Sequence, residues 1–141
     1  MTRQEIRALF TRRQDAWDCH DAAALASDHA EDGQVESPLA GGTARGRDAV
    51  EQLHATYFRA FADLRLVEDE LLIDGNRVVL VGRISGTDTG GFMGMAPSGR
   101  AVSVPIVFFY ELRDGQIVRE RRVYDFTGVL VQVGLLKAKP S

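Results

Sequence analysis

The chain has 141 residues, 45% of them hydrophobic, with a net charge of −3 and a sequence pI near 5.6. That length suits a single domain over residues 1–141 with its own core, and the acidic balance argues against nucleic acid or an anionic membrane as partner, despite the local basic run Arg119, Arg121 and Arg122. The lone cysteine, Cys19, excludes an intrachain disulfide and a cysteine-rich metal site; with no apolar run near the ~18 residues of a membrane span and a charged start, "MTRQEIRALF", unlike a signal peptide, the expected compartment is the cytoplasm.

The first twenty residues predict an amphipathic helix, because Ile6, Leu9, Phe10, Arg13 and Trp17 recur at the three-and-four spacing of one helical face. Thr2 and Glu5 supply a capping box at its start. The segment "DAAALASDHAEDG" predicts a second, shorter helix capped by Asp21, with Leu25 and Ala26 inward and Gly33 past its end. A short strand, "QVESPL", should follow. "GGTARGRDAVEQLHATYFRAFADL" then turns on its glycines into a third helix with Val50, Leu53, His54, Tyr57, Phe58 and Phe61 on one side.

From Leu64 the texture is that of strands: "LRLVEDELLID", "NRVVLVGRISGT", "RAVSVPIVFFYEL" and "QIVRERRVY" are rich in β-branched and aromatic residues. The turns "DGN" at 74–76 and "DGQ" at 114–116 are short enough to force antiparallel neighbours. Helices first and a meander after give an α+β fold with one mainly antiparallel sheet covered by helices on one face. "VSVPIVFFYEL" is apolar on both alternations, so both its faces should be dry, one against the helices and one against a partner. A homodimer through the open sheet face is the expectation.

Four strings carry a resemblance: "GGTARGRDAVEQL", "GTDTGGFMGMAPSGRAVSV", "YELRDGQIVRERRVYD" and "DFTGVLVQVG", which together cover most of residues 30–134. In order and spacing they resemble the cone-shaped nuclear transport factor 2-like superfamily and, within it, the SnoaL-like polyketide cyclase family. The resemblance implies a strongly bent sheet wrapped around the helices, a short C-terminal helix, and a deep, mostly apolar pocket. The superfamily includes isomerases, hydrolases, cyclases, binding proteins and transport factors, so the fold alone does not fix the chemistry.

By that resemblance Asp125 stands where the family carries its acid-base aspartate. The chemistry would be an intramolecular aldol ring closure: the carboxylate removes a proton from a carbon between carbonyls, then returns it to the forming alkoxide. Neither a metal nor an organic cofactor is required, since the substrate supplies its own acidic carbon, and three scattered histidines lack zinc-ligand spacing. From the residues alone, Asp125 reads equally as the N-cap of "FTGVLVQVG", and the two roles are compatible.

His54, one turn from Val50 and Phe58, should point inward, either to orient a carbonyl or as a satisfied core histidine. Tyr124 is an oxyanion donor or a packed aromatic. Glu36 faces either the pocket or water. Phe92, Met93 and Met95, in the glycine-rich "TGGFMGMAPSG", make a candidate lid or a hairpin connection packed on a partner. His20 and His29, near helix ends, are expected to be solvated or capping.

The chain also departs from the family pattern. Glu111 or Phe109 stands near the customary histidine, Arg121 near the customary tryptophan, and Asp88 where relatives read "GTHTG". An arginine paired with Asp125 would oppose its use as a base. The expected function is a cofactor-independent SnoaL-like enzyme acting through Asp125 on a polyketide-like carbonyl compound, by cyclisation or isomerisation. The alternatives are a non-catalytic dimer binding a small apolar molecule, and an epoxide hydrolase-like enzyme with an Asp–Arg–Asp arrangement.

Overall fold

Helix α1 (Arg3–Asp18) starts at a complete capping box: Thr2 Oγ1 accepts from the Glu5 amide at 3.1 Å, and the Glu5 carboxylate accepts from the Thr2 amide at 2.9 Å. The computed structural model describes residues 1–40 and 42–137. Ile6, Leu9, Phe10, Arg13 and Trp17 form the buried face of α1, as their spacing predicts. Each apolar member contributes about 1.5–3 kcal/mol by leaving water.

Helix α2 is only Ala22–Ser27, capped by Asp21, and the chain is already a strand at His29. Strand β1 (His29–Ser37) thus takes residues assigned from sequence to the second helix, and Pro38–Ala40 form a short 3-10 turn instead of its end. Gly33 is inside this strand, where an added Cβ would meet the Ala30 and Ile117 carbonyl oxygens at 2.9 Å each. Only glycine admits the backbone that close, and the β1 register shifts at this place. A short strand, β2 (Gly42–Arg45), precedes helix α3 (Arg47–Ala60). The glycine turn expected there holds this edge strand, and Gly41 lies outside the described residues.

Strands β3 (Arg65–Asp74), β4 (Arg77–Thr87), β5 (Ala101–Arg113) and β6 (Gln116–Tyr124) form the predicted antiparallel meander. The six strands make one curled, unclosed sheet in the order β2-β1-β6-β5-β4-β3, with β1 parallel to β6. The helices α1 and α3 and the short helix α4 (Phe126–Gln132) pack inside the curl, so the fold is the α+β cone expected.

On β5 the burial alternates strictly. Val102, Val104, Ile106, Phe108, Tyr110 and Leu112 are buried, whereas Ser103, Pro105 and Phe109 are exposed in the single chain. Val67, Leu72 and Val123 are exposed on the same outer face as Phe109.

Strand β6 carries a bulge. Glu111 pairs with Arg119 but Leu112 pairs with Ile117, so one residue, Val118, is extra. Beyond it the alternation flips, and Glu120, Arg122 and Tyr124 turn toward the helices while Arg119, Arg121 and Val123 turn out.

Candidate functional site

A slender apolar cavity of about 30 Å³ lies between the sheet and the helices. Aliphatic and aromatic side chains of β4, β5, α1, α3 and α4 make its walls, among them Trp17, Phe61, Ile84, Val104, Phe108 and Val129. Its polar side chains are few: Tyr57 from α3, Tyr124 at the end of β6, Arg122 two residues earlier, and Ser85. A mostly apolar pocket with a few convergent polar groups is the usual form of a small-molecule site.

The hydroxyls of Tyr57 and Tyr124 hydrogen-bond each other. Burial, then the neighbouring Tyr124, pushes the Tyr57 hydroxyl above its ordinary range, so it stays protonated. The pair owns two protons and uses one between them, which leaves one O–H to donate to a ligand.

Arg122 is held from behind. Its Nε donates to Glu120 Oε2 at 2.6 Å and its Nη2 donates to His54 Nε2 at 2.8 Å. Both partners are fully buried. His54 Nδ1 in turn lies 2.9 Å from the Val50 carbonyl oxygen, so the ring is neutral with its proton on Nδ1. Burial, reinforced by the Arg122 charge, holds the His54 pKa well below its ordinary value, in agreement with that tautomer.

Burial alone would raise the Glu120 carboxyl. Arg122, His29 and Arg13 outweigh it and hold the group down at about 2. Trp17 and Phe108 present ring faces to the Arg122 guanidinium at 5.6 and 5.1 Å.

The network continues inward. His29 Nε2 lies 3.5 Å and Arg13 Nη2 3.8 Å from Glu120 Oε1, and Arg13 Nη1 binds Asp28 and the Leu25 carbonyl at 3.1 Å each. His29 is completely buried, so the solvated or capping role expected of it is corrected. Burial lowers its pKa to about 4, which makes the 3.5 Å contact that of a neutral imidazole beside a carboxylate. His20 instead stacks on Phe58 and bonds the Leu64 carbonyl at 2.8 Å.

Among the residues singled out from sequence, Tyr124 reaches the cavity wall and His54 stands one residue behind it, as a satisfied core histidine that steers Arg122. Asp125 is exposed, and its Oδ1 accepts from the Gly128 amide at 2.8 Å as the N-cap of α4. The dry surroundings expected for a base are absent there, although Tyr124 and Val129, on either side of it in sequence, both line the cavity. Arg122 pairs with Glu120 and not with Asp125, and among the described residues no arginine bridges Asp125 to a buried carboxylate as the epoxide hydrolase-like arrangement needs. Glu36 lies on the outer face, bound by Arg119 at 2.9 Å and Arg121 at 3.2 Å. Tyr57, Glu120 and Arg122 were not assigned to the site from sequence.

The 88–100 connection is pinned by Asp88, itself buried. Its Oδ1 accepts from the Gly91 amide at 3.1 Å and its Oδ2 from the Ser98 amide and hydroxyl at 3.1 and 2.8 Å. Phe92 is buried against Tyr57, Phe61 and Phe126, two of them cavity residues, while Met93 and Met95 are exposed. Among the described residues no group of three or more His, Cys, Asp or Glu is placed to hold a metal, and no helix is long and apolar enough to cross a membrane.

No curated protein matches the chain significantly in sequence. Solved structures do. AclR from Streptomyces galilaeus, provisionally named a hydroxylase, superposes with a TM-score of 0.83 at 27% identity, covering 99% of this chain and 87% of that one. IdmH from Streptomyces antibioticus, provisionally named a polyketide cyclase, gives 0.72 at 25% identity over 86% and 92%. A protein of ketosteroid isomerase-like fold from Catenulispora acidiphila, solved with trimethylamine, gives 0.75 at 21% over 99% and 100%, a likeness of fold alone. The family model described as SnoaL-like polyketide cyclase matches residues 7–133, nearly the whole chain. With the cone, the apolar cavity and that match together, the chain belongs to the SnoaL-like polyketide cyclase family.

Proposed function

We propose that the protein carries out cyclase- or isomerase-type proton transfer on a polyketide-like carbonyl compound seated in the cavity, without a cofactor. The observation that carries this reading is the Tyr57–Tyr124 hydroxyl pair at the polar end of an otherwise apolar cavity. A substrate carbonyl oxygen there receives the spare O–H. Charge then moves onto that oxygen as the adjacent C–H proton leaves, and a donor already in place stabilises it.

Asp125, at the start of the helix whose Val129 lines the cavity, is the proposed proton acceptor, and the same carboxyl then protonates the new alkoxide. The outer sheet face, with Val67, Leu72, Phe109 and Val123 exposed, is the proposed homodimer interface.

A second reading, a small-molecule binder without turnover, is favoured by the exposure of Asp125 and its service as a cap. Asp125→Asn separates the two, because asparagine caps a helix as well as aspartate and cannot act as a base. The expected outcome, measured as turnover of candidate polyketide esters, is a rate lower by roughly 10²-fold or more, with stability changed by less than about 0.5 kcal/mol. Equal rates in wild type and variant would remove the aspartate from the mechanism, and no turnover by either would leave the binding reading.

A further inference from the structure

The guanidinium of Arg122 has two occupied nitrogens and one unoccupied. Nε and Nη2, which share an edge, are taken by Glu120 at 2.6 Å and His54 at 2.8 Å. Nη1 makes no hydrogen bond to the protein among the described residues, and Arg122 lines the cavity. Both partners are completely buried, and the side chain is flanked by the faces of Trp17 and Phe108. A cation so clamped has little rotamer freedom left to lose when it binds. Most of the cavity lining is apolar, so a hydrogen bond to Nη1 competes with little water.

Resting on the cavity as the substrate site, we propose that Arg122 is an oxyanion anchor, that the cavity takes a flat, largely apolar molecule bearing an ionised oxygen (enolate, phenolate or carboxylate), and that Glu120 and His54 are positioning residues that present Nη1 to it. Glu120 serves by fixing the Nε edge. His54 serves as a neutral acceptor because its Nδ1 proton is committed to the Val50 carbonyl. A neutral ligand oxygen gains an ordinary hydrogen bond here, and an ionised one gains a charge-assisted bond about twice as strong.

The test uses the purified full chain and two bicyclic probes of similar size, 2-naphthoate and 2-naphthamide, titrated calorimetrically. Naphthoate is expected to bind at least about tenfold more tightly, and the ratio to fall to near one when Glu120→Gln and Arg122→Gln are made together, so that neither charge is left buried alone. His54→Leu lowers the ratio, and His54→Gln, whose amide oxygen can accept from Nη2, restores it. A role confined to packing would change both affinities alike.

Equal affinities in the wild-type protein, or no naphthoate binding at its solubility limit, overturn the anchor whether or not any variant folds. An unchanged ratio in the folded double variant overturns it as well, and a ratio indifferent to both His54 substitutions overturns the positioning role. Since this assay involves no turnover, its failure is distinct from failure of the Asp125 mechanism.

Discussion

His29 sits in the middle of a charged network of Arg13, Asp28, Glu120 and Arg122, and among the described residues neither of its ring nitrogens has a hydrogen-bond partner. The fold keeps His29 neutral down to about pH 4 and holds His54 well below its ordinary value, whereas both charge near pH 6.5 in the unfolded chain. Between those values the unfolded state binds more protons. Stability is therefore fully present above pH 6.5 and is lost as pH falls, by about 1.4 kcal/mol per unit for each histidine. Glu120, held at about 2, adds a further loss only below its ordinary 4.5. Denaturant melts from pH 7 to pH 5 should show that fall, and His29→Gln should halve its slope; a stability flat over this range would contradict the buried neutral histidines. The inward course of Glu120 and Arg122 was not legible in the sequence, because counting by twos from the buried Ile117 puts Arg119 and Arg121 inside. Val118, the bulged residue, reverses the parity, and a bulge with no glycine leaves no mark in residue types.

At the scale of elements, the 88–100 connection is an ordered strap, and one carboxylate holds it. Asp88→Ala removes the acceptor of two loop amides and one hydroxyl, with an expected cost of about 1–3 kcal/mol. The amides of Gly91 and Ser98 should then exchange with deuterium faster than in wild type, and Phe92 should loosen from Tyr57 and Phe61. Unchanged exchange at both amides would mean that the backbone bonds between Asp88 and both Gly99 and Arg100 hold the strap unaided. Helices α1 and α3 were legible because each repeats its apolar period over fourteen residues or more, and the four-strand meander because its β-branched and aromatic runs are separated by turn signals. Strand β1 was legible only in its second half, within "QVESPL"; its first half, "HAEDG", is polar and lacks β-branched residues, and it becomes a strand through pairing with β6, nearly ninety positions away.

For the whole molecule, the order of helices before meander led to an α+β fold with one covered sheet, and the resemblance of four strings led to the cone and its family. The cavity's polar end was only partly visible. Tyr124 could be named because it adjoins Asp125, but Trp17, Tyr57 and Arg122 come from three elements far apart in sequence that meet only when the sheet curls over α1 and α3. A ligand's oxygen is expected at this polar end while its carbon skeleton fills the apolar cavity. A crystal structure of the protein with an aromatic β-diketone tests it most directly. One carbonyl oxygen is expected within hydrogen-bond distance of the Tyr57–Tyr124 pair or of Arg122 Nη1, with the ring beside Trp17 and Phe108; a diketone bound on the outer sheet face, or seated in the cavity with its oxygens turned away from all three side chains, would overturn that placement.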